Sequence, residues 1–276
     1  MVSVLCVRDP ERRLEDQAKD VPLYAVGDNS SIGVNKMLKI DCTNKHFSEI
    51  GKLVRESQDK EIVIDNCLGH RYIASGVGGK DIVINGTPGN ALGAYLDGCH
   101  IVVNGSAQDA VGDTMNDGTI IIHGNSGDAT GYAMRGGKIF IKGDAGYRAG
   151  IHMKAYKDKF PVLVIGGKAG SFLGEYQAGG IILVLGVNTD SKTNVGFFTG
   201  NGMHGGKIIL RSEQLPDLPE QIVSRKANAE DLKEIEKYVG EYCSYFGGSP
   251  KEIMSKDFFV LTANSANPYK QLYTSL

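Results

Sequence analysis

Among the residue types of this chain, the glycines have the spacing that most resembles a known ligand-binding motif. The 276 residues include 37 glycines, many of them in a G-x-x-G-x-x-x-G pattern between Ile82 and Gly150. Glycine loops bind phosphate when they join a strand to a long helix, as in G-x-G-x-x-G and G-x-x-x-x-G-K-[ST] motifs. The sequence has no G-x-x-x-x-G-K-[ST] motif, and no long helical pattern follows the runs. We therefore interpret these glycines as structural.

Histidines are the second residue type that could do chemistry. They are His46, His70, His100, His123, His152 and His204, and none forms an H-E-x-x-H pair. We expect His123 to be solvated, because it stands at a strand position that carries Asn or Lys in other repeats. His204 and the corner Gly69–Arg71 could touch a ligand, but turn residues are the favoured interpretation. No nucleophile–base arrangement can be argued.

Cysteines give no metal or disulfide pattern. The five are Cys6, Cys42, Cys67, Cys99 and Cys243, an odd number at scattered spacings with no C-x-x-C pair. The sequence therefore predicts neither a zinc site, an iron–sulfur site nor a disulfide framework. We accordingly assign no catalytic, cofactor-binding or metal-binding residue to this chain and expect no cofactor in it.

Charge and hydropathy limit the remaining function classes. A net charge of −2 and a pI near 6.3 give no electrostatic argument for nucleic acid. No run approaches the ~18 apolar residues of a membrane span, and the first residues lack a signal-peptide core. We expect a cytoplasmic protein with no membrane partner.

The glycines belong to a repeat of about 19 residues. Aliphatic runs begin at eight positions with spacings of 20, 19, 19, 19, 24, 19 and 26 residues: Ile62, Ile82, Ile101, Ile120, Ile139, Leu163, Ile182 and Ile208. Extra residues enter at two places, about 154–161 and about 187–201. Glycine interrupts each block too often for a helix, whereas the Ile- and Val-rich openings favour strands. The repeat predicts a parallel β-helix of about seven turns.

Side-chain columns along this predicted solenoid indicate which face is buried. Strand positions one and three are aliphatic in every repeat and are assigned to the core. A third column, five residues before each next strand, includes Leu96, Met115 and the polar Gln177. Position two should face outward, yet Val63, Val83, Val102, Ile121, Phe140, Val164, Leu183 and Ile209 are all apolar. Something must cover this outward column.

The ends of the chain suggest caps on the solenoid. We divide it into an N-terminal segment and cap (1–61), the glycine repeat (62–211), and a linker with a C-terminal helix packed on the repeat (212–276). In the cap we expect a strand at 36–42 and a helix at His46–Ser57, N-capped by Thr43 or Asn44. A strand at 2–7, a helix at 11–19 and a loop at 27–33 precede them.

The C-terminal part is predicted to begin with a proline-interrupted linker. A helix N-capped by Asn228 follows and runs through about Phe246, where Gly247-Gly248 end it; a short helix and a strand come after. One stripe of the long helix is apolar: Leu232, Ile235, Val239 and Tyr242. The long helix has ~19 residues, and at 1.5 Å per residue its length matches that of the outward column. We expect this helix to cover part of that column. What it leaves uncovered, with the two insertions, would be a partner or self-association surface.

Several blocks together resemble a known family. G-x-x-G-x-x-x-G repeats, GEYQAGGIILVLG (174–186) and GMHGGKIIL (202–210) are similar to the glycine-repeat (GXGXG) domain at the C-terminus of the glutamate synthase large subunit, in its separate-subunit form. The resemblance covers about Lys39–Arg211. It implies a right-handed parallel β-helix without catalytic residues, which positions glutaminase and flavin/iron–sulfur synthase domains. FMN and the iron–sulfur cluster would then belong to partner chains.

Departures from that family leave alternatives open. The chain begins Met1-Val2, without a nucleophilic cysteine, and has no flavin barrel or cysteine cluster. A related repeat occurs in the glycine-repeat subunit of formylmethanofuran dehydrogenase and its formyltransferase/hydrolase relatives. We therefore expect a non-catalytic scaffold subunit of a glutamate synthase, an oxidoreductase complex of glutamate biosynthesis. Its expected partners are the other subunits of that enzyme, with self-association as the alternative. The alternatives are the glycine-repeat subunit of a formylmethanofuran-type complex and a stand-alone ligand-binding β-helix.

Overall fold

The structure is a computed structural model and describes residues 37–187, 189 and 192–264. All of these residues belong to one compact unit. The strand, helix and loop expected before residue 36 lie outside the described part of the chain.

Strands dominate the described residues, with three helices beside them. The strands are β1 (Met37–Asp41), β2 (Glu61–Leu68), β3 (Asp81–Thr87), β4 (Asp97–Asn104), β5 (Asp117–Ile122), β6 (Lys138–Ile141), β7 (Val162–Ile165), β8 (Ala178–Val184), β9 (Gly205–Arg211), β10 (Ile222–Lys226) and β11 (Phe258–Ala263). The helices are α1 (Phe47–Glu56), α2 (Ala229–Phe246) and α3 (Pro250–Met254).

The strands form a single open sheet. Its eleven strands run from β1 to β9 in chain order, followed by β11 and then β10. Each strand from β2 to β9 is parallel to the one before it, whereas β11 pairs antiparallel with both β9 and β10. The fold is thus mainly β, with one mostly parallel sheet. Because strands that follow one another in the chain are parallel, each connection must carry the chain back to the end of the sheet at which the next strand begins.

The register confirms the two core columns. Ile82 pairs with Ile101 and Ile84 with Val103, so like positions stand side by side across neighbouring strands. Every side chain of positions one and three is buried. The third column is buried as well, including Gln177, whose amide nitrogen donates to the carbonyls of Gly179 and Gly180. Those hydrogen bonds explain how a polar side chain is accommodated in this stack.

Helix α2 covers the later part of the outward column, as the sequence predicts. Its Ile235, Val239 and Tyr242 are buried in one apolar cluster with the position-two residues Phe140, Val164, Leu183 and Ile209. Position two of the earlier strands, Val63, Val83 and Val102, is only half-buried. The predicted cover is therefore confirmed for the C-terminal part of the sheet.

Two local predictions need correction. The N-cap of α1 is His46, whose side chain accepts from the Ser48 amide, whereas Asn44 takes a left-handed conformation (φ 58°). The segment after Arg211 is more than a linker, because Ile222–Lys226 forms strand β10. Pairing with β11 supplies the partner that its own polar sequence does not indicate. The N-cap Asn228 and the end of α2 at Gly247 are as predicted.

Candidate functional site

The turns between strands form a second hydrogen-bonded ladder. In each turn from Gly93 to Gly200 a left-handed residue in the middle donates its amide to the preceding turn, as Gly112 does to Leu92 and Gly131 to Val111. In the turns from Gly93 to Gly174, left-handed residues two places before and after that residue donate to the following turn, as Ala110 does to Asp128. These turns are consequently held on both sides by their neighbours, and the turn around Gly200 is held by the preceding one. Side chains carried by them project from a fixed backbone.

An aromatic patch covers the later turns. We use that name for seven rings: Tyr132, Tyr147, His152, Phe172, Tyr176, Phe197 and Phe198. Tyr176 stacks on His152 (centroids 5.1 Å apart), and Phe172 stacks on Phe198 (5.0 Å). Tyr147 is 57% exposed and Phe197 is 71% exposed. In three earlier turns the place of Phe172 is taken by alanine: Ala91, Ala110 and Ala129.

A buried carboxylate supports the patch from below. Glu175 is 7% exposed and accepts from Arg148 Nε (3.3 Å) and from Asn201 Nδ2 (3.2 Å). The Arg148 guanidinium also lies over the Phe172 ring, 5.2 Å from its centroid. These contacts fix side chains from three successive turns. The Phe172 ring therefore lies against a guanidinium that a buried carboxylate holds in place.

The two insertions are tied to the repeat. In the first, Lys159 Nζ lies 2.8 Å from Asp97 Oδ1 and 3.7 Å from Asp117 Oδ2. In the second, the buried Asn194 donates to the Arg211 carbonyl (2.8 Å). The first insertion exposes Tyr156 and Phe160, and the second carries Phe197 and Phe198 of the aromatic patch. Both insertions therefore present apolar rings at the surface, where the sequence predicts a partner surface.

Two cysteines and a histidine meet at the other end of the sheet. Cys42 follows β1, Cys67 lies in β2, and His70 stands at the corner after β2. One ligand atom from each lies within 4.8 Å of the others. We call this group the Cys–His cluster. Burial raises the pKa of Cys67 to about 12, with the neighbouring Cys42 adding to the effect. Burial also raises the pKa of the Cys42 thiol.

The histidines singled out in the sequence have different surroundings. His123 packs edge-on against Phe246 of α2 (5.1 Å), so the expectation that it is solvated is wrong. Burial, aided by Lys142, lowers its pKa. His204 Nδ1 lies 3.2 Å from the Gly202 carbonyl, as a turn residue would. The corner Gly69–Arg71 contributes His70 to the Cys–His cluster, and Arg71 lies over the Phe47 ring of α1.

Two charged grooves on the described surface contain ion pairs. Beside the first turn of α2, Lys207 lies 2.6 Å from Glu234, and Arg225 binds the buried Asp231. Under the first insertion, a second groove is lined by Asp117, Lys138 and Lys159. Lys138 there binds Glu241 of α2 at 2.7 Å. These pairs attach α2 and the insertion to the sheet, and they leave the aromatic patch and the Cys–His cluster as the stronger candidate sites.

Sequence reasoning missed both of these features. The aromatic patch escapes notice because its rings stand at different positions of successive turns, and because the two insertions separate the later turns from the 19-residue period. The Cys–His cluster joins residues 25 apart, although Cys67-Leu68-Gly69-His70 is a C-x-x-H spacing that could have been noticed. No helix among the described residues has the length and apolarity needed to cross a membrane.

Fold and site together define a class: a glycine-repeat β-protein whose successive turns are hydrogen-bonded to one another and whose later turns carry exposed aromatic rings. Comparison with known proteins supports this. A family model described as the GXGXG motif matches residues 54–264, and the chain belongs to this GXGXG family.

Two individual proteins illustrate the relationship. An uncharacterized protein of Methanocaldococcus jannaschii is 46% identical over 252 residues, which is 85% of this chain and 95% of that protein. A solved structure, the formyltransferase/hydrolase complex of Methylorubrum extorquens with methylofuran, contains a chain with a TM-score of 0.57 and 20% identity. The match covers 80% of this chain and 91% of that one. At this identity the likeness concerns the fold.

Proposed function

We propose that this chain is a non-catalytic scaffold subunit of a multisubunit enzyme of the glutamate synthase type. In that role it positions a glutaminase-type subunit and a flavin/iron–sulfur synthase-type subunit for glutamate biosynthesis. The chain contributes surface and rigidity to an oxidoreductase complex, whereas FMN and the iron–sulfur cluster reside in the partners. Membership of the GXGXG family supports this proposal.

The aromatic patch is the observation that carries the proposal. Large exposed apolar patches on soluble proteins mark interaction sites, and aromatic anchors dominate the energetics of such sites. Tyr147 and Phe197 are more than half exposed; the turn of Tyr147 is hydrogen-bonded to both neighbouring turns, and the turn of Phe197 is hydrogen-bonded to the preceding one. A rigid patch loses little conformational entropy when a partner binds. A second protein chain is the occupant that this chemistry fits.

The scaffold that we propose is a right-handed parallel β-helix of about seven turns. It is supported by consecutive parallel strands and by the separate ladder of bridges through Ala107, Ser126, Ala145, Ala169 and Val195. In this proposal residues 1–61 form the N-terminal segment and cap, 62–211 the repeat, and 212–276 the C-terminal part with strand β10 and the covering helix α2. In such a solenoid each turn stacks on its neighbours, so that surfaces at different points along its length are held at fixed separations.

A second candidate is the glycine-repeat subunit of a formylmethanofuran dehydrogenase or formyltransferase/hydrolase complex. The solved structure with a similar fold comes from a formyltransferase/hydrolase complex, which favours this candidate. The two candidates share the scaffold role and differ in the partner chains. Partner identity therefore distinguishes them.

Affinity purification of the tagged full chain from its native host tests the proposal. We expect glutaminase-type and flavin/iron–sulfur-type chains to co-elute in fixed stoichiometry. Tyr147→Ser combined with Phe197→Ser should reduce their recovery by more than about tenfold, since loss of anchor residues costs at least ~2 kcal/mol of binding. The matched control combines Leu68→Ser with Val223→Ser, which removes exposed apolar side chains outside the patch.

The outcomes separate the candidates. Formyltransferase/hydrolase-type chains in place of glutaminase-type chains would favour the second candidate. Equal recovery with the patch and control variants would contradict the role of the aromatic patch. A chain that elutes alone under all conditions would contradict the scaffold function.

A further inference from the structure

We propose that Cys42, Cys67 and His70 bind one zinc ion, with a fourth coordination position open to solvent. The three ligands come from separate pieces of the fold: the residue after β1, the seventh residue of β2, and the corner that follows β2. Their donor atoms already lie within 4.8 Å of one another. This site lies at the opposite end of the sheet order from the aromatic patch, and it is independent of the scaffold role.

The donor set suits zinc. Thiolate sulfur and imidazole nitrogen are its preferred ligands, at about 2.3 Å and 2.0–2.1 Å respectively. Two such donors on one tetrahedral ion stand roughly 3.5–3.8 Å apart, so the cluster would contract by at most about 1.3 Å on binding. Side-chain rotation at three residues is sufficient for a movement of that size.

The histidine is already oriented by the backbone. Its Nε2 lies 3.2 Å from the Lys45 carbonyl, and its Nδ1 accepts from the Leu68 amide at 3.1 Å. A ligating histidine commonly donates its other ring nitrogen to a backbone carbonyl, which fixes the tautomer. We therefore assign Nδ1 as the ligand atom. The metal would replace the Leu68 amide as the partner of Nδ1, and because that hydrogen bond is exposed, water can take the place of the imidazole at the amide.

Burial of the site is uneven in a way that favours an open position. Cys42 and Cys67 are 1% and 2% exposed, whereas His70 is only half-buried. Among the described residues, no fourth His, Cys, Asp or Glu joins the group. Three protein ligands with water in the fourth position is an established zinc arrangement. The ion would fasten β1 and the segment leading to α1 onto the first strand of the repeat.

Metal binding by the full chain tests this site. Cys6 lies outside the described residues, so all proteins carry Cys6→Ser. We expect the parent to retain one Zn²⁺ per chain after gel filtration and to melt at lower temperature once a chelator removes it. Replacement by Co²⁺ should give a thiolate-to-cobalt charge-transfer band, which reports directly on sulfur ligation.

Ligand and control variants complete the test. Cys67→Ser and His70→Gln should each weaken zinc binding by more than about 100-fold, beyond the 10–100-fold typical of losing a supporting group. Cys99→Ser, which alters another buried thiol outside the cluster, should bind as the parent does. If Cys67→Ser does not fold, His70→Gln carries the test, because His70 is partly exposed.

Three results would overturn the proposal. The first is a parent protein with no stoichiometric Zn²⁺ and no charge-transfer band. The second is an unchanged cobalt spectrum in His70→Gln. The third is a Cys99→Ser protein that loses metal as completely as Cys67→Ser does.

Discussion

At the scale of single residues, the repeat needs glycine for two different physical reasons. Those in the middle of the turns, such as Gly112 (φ +66°) and Gly131 (φ +73°), adopt a left-handed backbone. Gly105, near the end of a strand, instead has ordinary φ but faces the Gly86 carbonyl so closely that a Cβ would collide with it. Left-handed geometry disfavours any side chain, whereas close approach excludes one sterically.

Alanine at the mid-turn glycines should destabilise the fold by unequal amounts. Gly112→Ala should cost more than ~1 kcal/mol in the free energy of unfolding. Alanine would have to adopt the positive φ of this position, and its Cβ would lie 2.5 Å from Ile139 Cδ1. Gly131→Ala should cost about 1 kcal/mol, because its new Cβ would meet nothing nearer than 3.7 Å. Ala74 occupies the same place in the first turn at φ +57°, so the strain alone is tolerable. Urea denaturation measures both.

Gly240→Ala is the matched control for these variants. Gly240 lies within α2, and a Cβ there would meet nothing within 4 Å. Alanine should therefore stabilise the protein by about 0.5–1 kcal/mol through helix propensity. Equal effects of alanine at residues 112, 131 and 240 would contradict the conformational explanation.

His123 should make stability depend on pH. Its pKa is lowered in the folded state, chiefly by burial, so the unfolded chain binds more protons between the folded pKa and the ordinary value near 6.5. Stability is then greatest above pH 6.5 and falls as pH drops below it. His123→Gln should flatten this part of the pH profile of Tm.

Phe246→Ala offers an independent check on the same histidine. Removing the ring that packs on His123 exposes the imidazole, so its pKa should rise toward the ordinary value. Titration of the imidazole by NMR measures the change directly. An unchanged pKa in this variant would contradict burial as the cause.

At the scale of elements, α2 shows what periodicity predicts and where it stops. The stripe Leu232, Ile235, Val239 and Tyr242 indicated an apolar face, and all but Leu232 are buried. The strand columns were equally predictable because their period of 19 aligns like side chains. Strand β10 was missed because Ser224, Arg225 and Lys226 carry no apolar alternation. His123 was misjudged because the helix end that covers it lies over 120 residues away in the sequence.

Truncations in α2 should follow burial. Val239→Ala should cost about 2 kcal/mol or more, because Val239 is fully buried against the outward column. Leu232→Ala should cost less, since Leu232 packs only partly on that cluster. Chemical denaturation gives both values. A larger loss for Leu232→Ala would contradict the packing described for α2.

The cap of α2 should contribute separately. Asn228 accepts from the Asp231 amide, and the Asp231 carboxylate accepts from the Asn228 amide. Asn228→Ala should cost about 1 kcal/mol, the usual value for a lost N-cap. Asn228→Ser, which keeps a capping oxygen, should restore most of that stability in thermal melts. No difference between the alanine and serine variants would contradict a capping role.

At the scale of the whole molecule, the side chains outside the core change in type from the first strands of the repeat to the last. Earlier strands carry half-buried valines at position two, whereas later turns carry the aromatic patch and later strands the covering helix α2. The patch could not be predicted from period alone, because insertions displace it and because its rings come from several turns. The same holds for the Cys–His cluster, which the stacking of β1 on β2 brings together.

The mass of the native assembly tests the central claim, the scaffold role, most directly. Native mass spectrometry of the endogenous chain, purified without denaturation, distinguishes a heteromeric complex from the 29.6 kDa chain or its multiples. We predict a complex whose mass requires different partner chains in a fixed ratio. The chain that carries Tyr147→Ser and Phe197→Ser should no longer retain those partner chains. A mass equal to an integer multiple of the single chain, with no other component, would contradict the account.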